Sequence, residues 1–256
     1  MKNQVDRLTC ETDYFSCRRE DDILVFTYKG NSLLASTLIR AKEKVLDLFK
    51  RAEAHGGVRV VVLLAGPRKP RREEYLAFFD MLASARLSEA SVMRLYRAID
   101  QLILHLLSSD LFFIAANCGE ILPMMIGCSL ACDYRILGDN TAIQNPSLEL
   151  GLAPKGGAPF FLGRAIGKGK LYELMLSDHN ITAQEALDIG MTDRIVPAET
   201  FEEDVMEIAA QFAALPPTSL RLAKRLINFP VVGLDSYLEY ENKQLLRAMN
   251  QSRMVG

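Results

Sequence analysis

Val58 to Leu64 is the stretch that most narrows what this chain can fold into. It is a near-continuous run of β-branched and apolar residues, and a strand with one wet face would instead alternate. It predicts a strand covered on both sides. Upstream, Leu33 to Ala54 carries Leu38, Ile39, Ala41, Val45, Leu46, Leu48 and Phe49 at helical spacing. His55-Gly56-Gly57 closes that helix, because glycine tolerates the left-handed backbone of a helix stop. Earlier still, Phe15 to Arg19 and Ile23 to Tyr28 are β-favouring runs split by Glu20-Asp21-Asp22, the pattern of a hairpin. Strand, helix, strand in this order is a βαβ crossover and implies a parallel sheet. The fold class is therefore α/β.

Composition removes several classes of function. The chain has 256 residues, 49% of them apolar and 24% charged, with a net charge of −2. That is enough apolar material for a sizeable core, and it lacks the basic balance of a bulk nucleic-acid binder. No apolar run approaches the length of a membrane span. The opening residues Met1 to Arg7 lack the hydrophobic segment of a secretory signal, so a cytoplasmic location is expected. The cysteines at 10, 17, 118, 128 and 132 and the histidines at 55, 105 and 179 have no metal-ligand spacing. Reduced thiols and no bound metal are the expectation. His105, within an apolar helical run, reads as a packed histidine rather than a catalytic one.

Pro67-Arg68-Lys69-Pro70-Arg71-Arg72 places two prolines and four cations in six residues, which predicts an exposed loop before a helix opened by Glu73-Glu74. Tyr75 to Leu82 and Ser91 to Leu107 read as helices with a polar break near Ser88, and Leu111 to Ala116 as another buried strand. Thr182-Ala183-Gln184-Glu185 has the form of a capping box, Gly190 ends the helix it opens, and Arg194 to Val196 is a short strand. Thr200 to Ala214, Pro217 to Ile227 and Val232 to Met249 predict three final helices. The expected division is an α/β core over 1–197 and a helical region over 198–256.

The stretch from Ile114 to Pro197 carries the chemistry. Strand, turn (Ile121 to Gly127), short apolar helix, strand and glycine-rich loop follow one another, an arrangement that builds a small-molecule site from backbone amides. Ala131-Cys132-Asp133-Tyr134-Arg135-Ile136, Leu150-Gly151-Leu152-x-Pro154-x-Gly156-Gly157, Gly167-Lys168, Ala183-Gln184-Glu185-Ala186 and Gly190-Met191-x-x-Arg194-Ile195-Val196-Pro197 stand in that order. Together they resemble the crotonase superfamily, the enoyl-CoA hydratase and isomerase group, over roughly Phe15 to Asn228.

The resemblance implies a spiral of ββα turns, C-terminal helices for trimer contacts in a homotrimer or homohexamer, and an acyl-CoA thioester as ligand. Coenzyme A then enters as part of the substrate, and no permanently bound cofactor is expected. The family's shared chemistry is an oxyanion hole, in which two backbone N–H groups stabilise an enolate. The glycine-rich turn that supplies one of them falls here on Pro123-Met124-Met125, so the Met124 N–H is the expected donor. The loop for the other falls near Arg72-Glu73-Glu74-Tyr75 and assigns no donor. The two hydratase glutamates fall on Gly127 and Ser147. Hydration needs a carboxylate base and an acid, so ordinary hydration is disfavoured.

Further groups are open to two readings each. Lys155, where some relatives carry an acid or nucleophile, either neutralises an anionic group or is a solvated loop lysine. Glu149 shares a face with Ser147 in an extended chain and is the nearest replacement carboxylate, or a surface one. Glu120 lies beside an apolar run, as an acid or a cap. Asp133 reads as a strand-end anchor. Arg68, Lys69, Arg71 and Arg72 either steer the phosphates of coenzyme A or solubilise a loop. Two functions follow: a divergent lyase or isomerase acting by enolate stabilisation, or a non-catalytic CoA-ester-binding protein or oligomer subunit. Hydrolase or decarboxylase chemistry is a third course.

Overall fold

The computed structural model describes residues 8–29, 35–65, 73, 75–77, 79, 88–121, 123–145, 151–152, 155–177 and 179–255. A seven-stranded sheet is its spine. β1 (Cys10–Glu11), β2 (Phe15–Glu20) and β3 (Ile23–Tyr28) pair antiparallel, and Asp21 turns the β2–β3 hairpin at φ 52°. After helix α1 (Ala35–His55) the sheet becomes parallel. β4 (Val60–Ala65) lies beside β3. On its other side comes β5 (Phe112–Asn117), reached through α2 (Glu89–Ser108). The predicted βαβ crossover and the hairpin are both present.

The strand starts at Val60, two residues later than the apolar run read from the sequence, and its centre is covered on both faces. Val60, Val61 and Val62 are fully buried. Val61 packs with Leu48 and Phe49 of α1 and Ile103 of α2. Val60 and Val62 face Val205 and Ala209 on the opposite side, as the alternation of a strand requires. Those last two residues belong to α7 (Phe201–Ala213), so helices close both faces of the sheet.

Beyond β5 the chain makes β6 (Glu120–Ile121), α3 (Pro123–Leu130), β7 (Tyr134–Gly138) and β8 (Ala142–Ile143). α4 (Ala158–Ile166), α5 (Lys168–Met175), β9 (Ile181–Thr182), α6 (Ala183–Asp188) and β10 (Arg194–Val196) follow. β7 and β10 complete the large sheet in parallel, while β6, β8 and β9 form a small second sheet. The capping box at α6 is formed: Glu185 N–H donates to Thr182 Oγ1 at 3.2 Å, and Thr182 N–H donates to the Glu185 carboxylate at 2.8 Å. Gly190 follows that helix at φ 73°. The predicted break near Ser88 is the N-cap of α2, its hydroxyl accepting from Ser91 N–H.

The helical C-terminal region comprises α7, α8 (Pro217–Asn228), a 3-10 turn (Phe229–Val231) and α9 (Leu234–Val255). α9 runs along α2, and Leu245 and Met249 pack with Val92, Leu95 and Tyr96. Among the described residues no helix is long and apolar enough to cross a membrane.

Candidate functional site

β5 and the small sheet bring the chain to α3. The sequence reading placed a turn over Ile121 to Gly127, but the helix begins at Pro123. Proline suits the first helical position, where its fixed φ is right and its missing N–H breaks no helical bond. The first turn of any helix leaves its N–H groups without partners inside the helix, and Met124 lies in that turn.

Midway along α3, Gly127 is buried and touches the glycine loop before α4. A Cβ added to Gly127 would lie 2.3 Å from the carbonyl oxygen of Gly156 and 2.7 Å from its carbonyl carbon and Cα. The position at which the family resemblance puts a hydratase glutamate is thus filled by the backbone of the loop. Gly156 in turn has φ +96° and Gly157 φ +76°, a backbone that side-chain-bearing residues rarely adopt.

Lys155 opens this loop and is only 7% exposed, so the solvated reading does not hold. Its ammonium pairs with Asp100 of α2 and, at 3.2 Å, with Glu241 of α9. The Glu241 carboxylate also accepts from Gly156 N–H and Gly157 N–H, each at 3.0 Å. Asn242 donates to the second oxygen of Asp100 at 2.6 Å. All four side chains are buried. Burial pushes the Glu241 carboxyl above the usual glutamate range, against the opposing pull of Lys155 and the two loop amides. Lys155 is therefore neutralised from inside the protein, by two carboxylates that the sequence reading did not single out. A signal for them existed. Asp100 interrupts the apolar stripe Tyr96, Ile99, Ile103 on α2, and Glu241-Asn242 interrupt Leu234, Leu238, Leu245 on α9.

The other predicted groups are spread differently. Glu120 is exposed on β6 while its neighbour Ile121 is buried, and Glu73 is exposed. Ser147, Glu149, Glu74 and the basic cluster Arg68, Lys69, Arg71 and Arg72 lie outside the described residues. Asp133 is a strand-end anchor: it accepts from Phe113 N–H at 2.8 Å and pairs with Lys224 of α8 at 2.8 Å. Lys224 also donates to the carbonyls of Leu106 and Leu111. Burial drives the Asp133 carboxyl up and the Lys224 ammonium down, each partly offset by the other.

The five cysteines are free thiols, and burial pushes Cys128, the one beside Lys155, up to about 12. His105 stacks on Phe49 with ring centroids 6.0 Å apart, and burial lowers its pKa, so it packs as a neutral ring. Among the described residues no group of three His, Cys, Asp or Glu side chains could hold a metal ion.

The Gly127–Gly156 contact, the Asp133 anchor and the order of strands place the motifs of the sequence in one structural unit. The sequence profile of the enoyl-CoA hydratase/isomerase family matches residues 30–253. The chain belongs to this family. Among its relatives, the short-chain-enoyl-CoA hydratase of Clostridium acetobutylicum is 32% identical over 120 residues, 46% of this chain and 46% of that protein. The fatty acid oxidation complex subunit alpha of Shewanella amazonensis is 25% identical over 243 residues, 93% of this chain and 34% of its own length. The match thus spans less than half of either relative. The crystal structure of an enoyl-CoA hydratase from Bacillus halodurans superposes with a TM-score of 0.79 at 20% identity, covering 94% of this chain and 96% of the other. One from Mycobacterium avium subsp. paratuberculosis gives 0.75 at 20% identity, covering 96% and 94%. At that identity the likeness is one of fold, and it fixes the crotonase architecture.

Proposed function

We propose that this family member binds an acyl-CoA thioester, with the Met124 N–H at the start of α3 as one oxyanion donor, and promotes a reaction that passes through an enolate without ordinary hydration. The observation that carries this reading is the closed contact between Gly127 and Gly156. It leaves the amide-bearing first turn of α3 in place yet gives no room for a carboxylate at position 127. An oxyanion hole needs only preorganised N–H donors, whereas adding water across a double bond needs a base and an acid. Isomerase or other lyase chemistry, with Glu149 or Ser147 near the reacting carbons and the cluster Arg68, Lys69, Arg71 and Arg72 at the phosphates of coenzyme A, fits these residues.

A second reading is favoured by one specific feature. Asp100 and Glu241 are both committed to Lys155, and Glu241 to the loop amides as well, so these buried carboxylates are unavailable as bases. On that reading the protein binds CoA esters without turning them over. Assembly with further copies, as a trimer or hexamer, is part of either proposal. It is supported by the apolar run on the last turn of α8 and beyond, where Leu226, Ile227, Phe229 and Val232 are each about three-quarters exposed.

The deciding experiment is a panel of crotonyl-, 3-enoyl-, malonyl- and aromatic acyl-CoAs followed for binding and for turnover. Turnover of a 3-enoyl or malonyl ester with no hydration of crotonyl-CoA is expected. Binding of every ester with turnover of none decides for the second reading. Failure to bind any CoA ester overturns both.

A further inference from the structure

Among the described residues of the glycine loop that closes on α3, no side chain accepts from its two glycine amides. Gly156 and Gly157 are both left-handed, Gly157 caps α4 without a side-chain hydrogen bond, and a proline follows in the first turn. The caps that normally satisfy the free N–H groups of a helix start are side chains a few residues away. Here the acceptor is Glu241, 84 and 85 residues downstream, two turns into the last helix. One carboxylate takes three donors: Oε1 accepts from Gly157 N–H at 3.0 Å, and Oε2 from Gly156 N–H at 3.0 Å and Lys155 Nζ at 3.2 Å. Asp100 holds the far side of the same ammonium, so the loop is pinned between α2 and α9. The pinned backbone is the one on which Gly127 rests, and Gly127 lies one turn after Met124 on α3.

We propose that Glu241 is a positioning residue of the thioester site. It fixes loop 155–157 from the C-terminal helix and, through the Gly127–Gly156 contact, the seat of the α3 turn that holds the oxyanion donor. It touches no substrate atom. The proposal rests on the acyl-CoA reading given above, and it assigns α9 a part in ligand binding.

The substitution that tests it is Glu241→Gln, which is isosteric. An amide presents an NH2 where the carboxylate presents an acceptor, so at least one of the three donors faces another donor. Loss of a hydrogen bond to a charged group corresponds to roughly a ten- to hundred-fold change in a local opening equilibrium. Hydrogen exchange at the Gly156 and Gly157 amides is expected to quicken by that factor, with β4 amides unchanged as the measure of an intact fold. In parallel, dissociation constants for crotonyl-CoA are measured well below the unfolding temperature of the variant, and a roughly ten-fold weakening is expected. Glu241→Asp, which keeps both acceptors on a shorter arm, is expected to fall between the two. If Glu241→Gln lowers the unfolding temperature but leaves loop exchange and ester affinity within two-fold of wild type, the residue is merely structural and the proposal is overturned. Wild-type protein that binds no CoA ester overturns the ligand reading itself, a different outcome from a wild-type protein that binds and a variant that binds equally well.

Discussion

Gly127→Ala is the smallest change that meets the closest contact in the site. The added methyl carbon would sit 2.3 Å from the Gly156 carbonyl oxygen, where about 3.5 Å is the comfortable separation of non-bonded heavy atoms. One backbone must therefore retreat by about 1 Å. α3 is backed by the sheet, so the loop is the part that yields. A shift of that size stretches the 3.0 Å bond from Gly156 N–H to Glu241 out of hydrogen-bonding range. Overpacking costs about 1–3 kcal/mol, and a lost bond to a charged acceptor about 1.5–3 kcal/mol. The gain in helix propensity from glycine to alanine returns about 1 kcal/mol. The net loss is about 2 to 5 kcal/mol. For a chain of this size each kcal/mol moves the unfolding temperature by about 2–4 °C, so circular-dichroism melting should show a drop of roughly 10 °C. An unfolding temperature equal to or above wild type would refute the reasoning, since helix propensity alone predicts a small rise. The same contact bears on function: Gly127→Glu combined with Ser147→Glu, which rewrites the family's hydratase pair, is expected to produce no hydration of crotonyl-CoA.

Other outcomes follow from the same structure. Lys155→Met leaves Asp100 and Glu241 facing each other unneutralised, and removing one member of a buried ion pair costs about 3–5 kcal/mol, readable in urea denaturation; a change below about 1 kcal/mol would contradict the burial assigned to the triad. Thr182→Ala removes the capping box of α6 and is expected to cost about 1 kcal/mol by the same method. Burial lowers the His105 pKa below its unfolded value, so its contribution to stability is present above about pH 6.5 and is lost as pH falls through the folded value. Stability measured from pH 7.5 to 5 should fall more steeply in wild type than in His105→Leu, and parallel curves would remove the effect. Cys17 and Cys132 are buried and burial raises their thiols, so a thiol reagent should modify the half-buried Cys10 and Cys118 well before these two; rapid labelling of Cys132 in the folded protein would be inconsistent with its burial.

Much of the scaffold was legible because it is written in local patterns. The valine run of β4, the stripe on α1, the Ser88 and Thr182 caps and the glycine stops each involve residues a few positions apart, and propensity and periodicity act at that range. The two-residue strands β6, β8 and β9 were not legible. A pair of residues carries no periodicity, and these strands exist only because three distant segments meet. The site was half legible for a similar reason. The motif order announced the frame, and the glycine at 127 announced a missing carboxylate. That Lys155 would be claimed by Asp100 and Glu241 depends on the docking of α2 and α9, 55 and 86 residues away from it in sequence. Pairwise chemistry at that distance has no local signature beyond a charge on an otherwise apolar stripe.

The distance between the glycine loop and Glu241 has a consequence for synthesis. A ribosome adding about 5–20 residues per second needs roughly 4 to 17 seconds to travel the 85 residues from Gly156 to its acceptor. For that interval, lengthened by passage through the exit tunnel, the nascent chain carries strands that can already pair and a loop whose lysine has Asp100 for a partner but whose two glycine amides still lack their acceptor. The last helix is therefore the final part of the site to be made. A chain that stops short of α9 would keep most of its sheet and a loop held only through Lys155 and Asp100, its glycine amides without their acceptor.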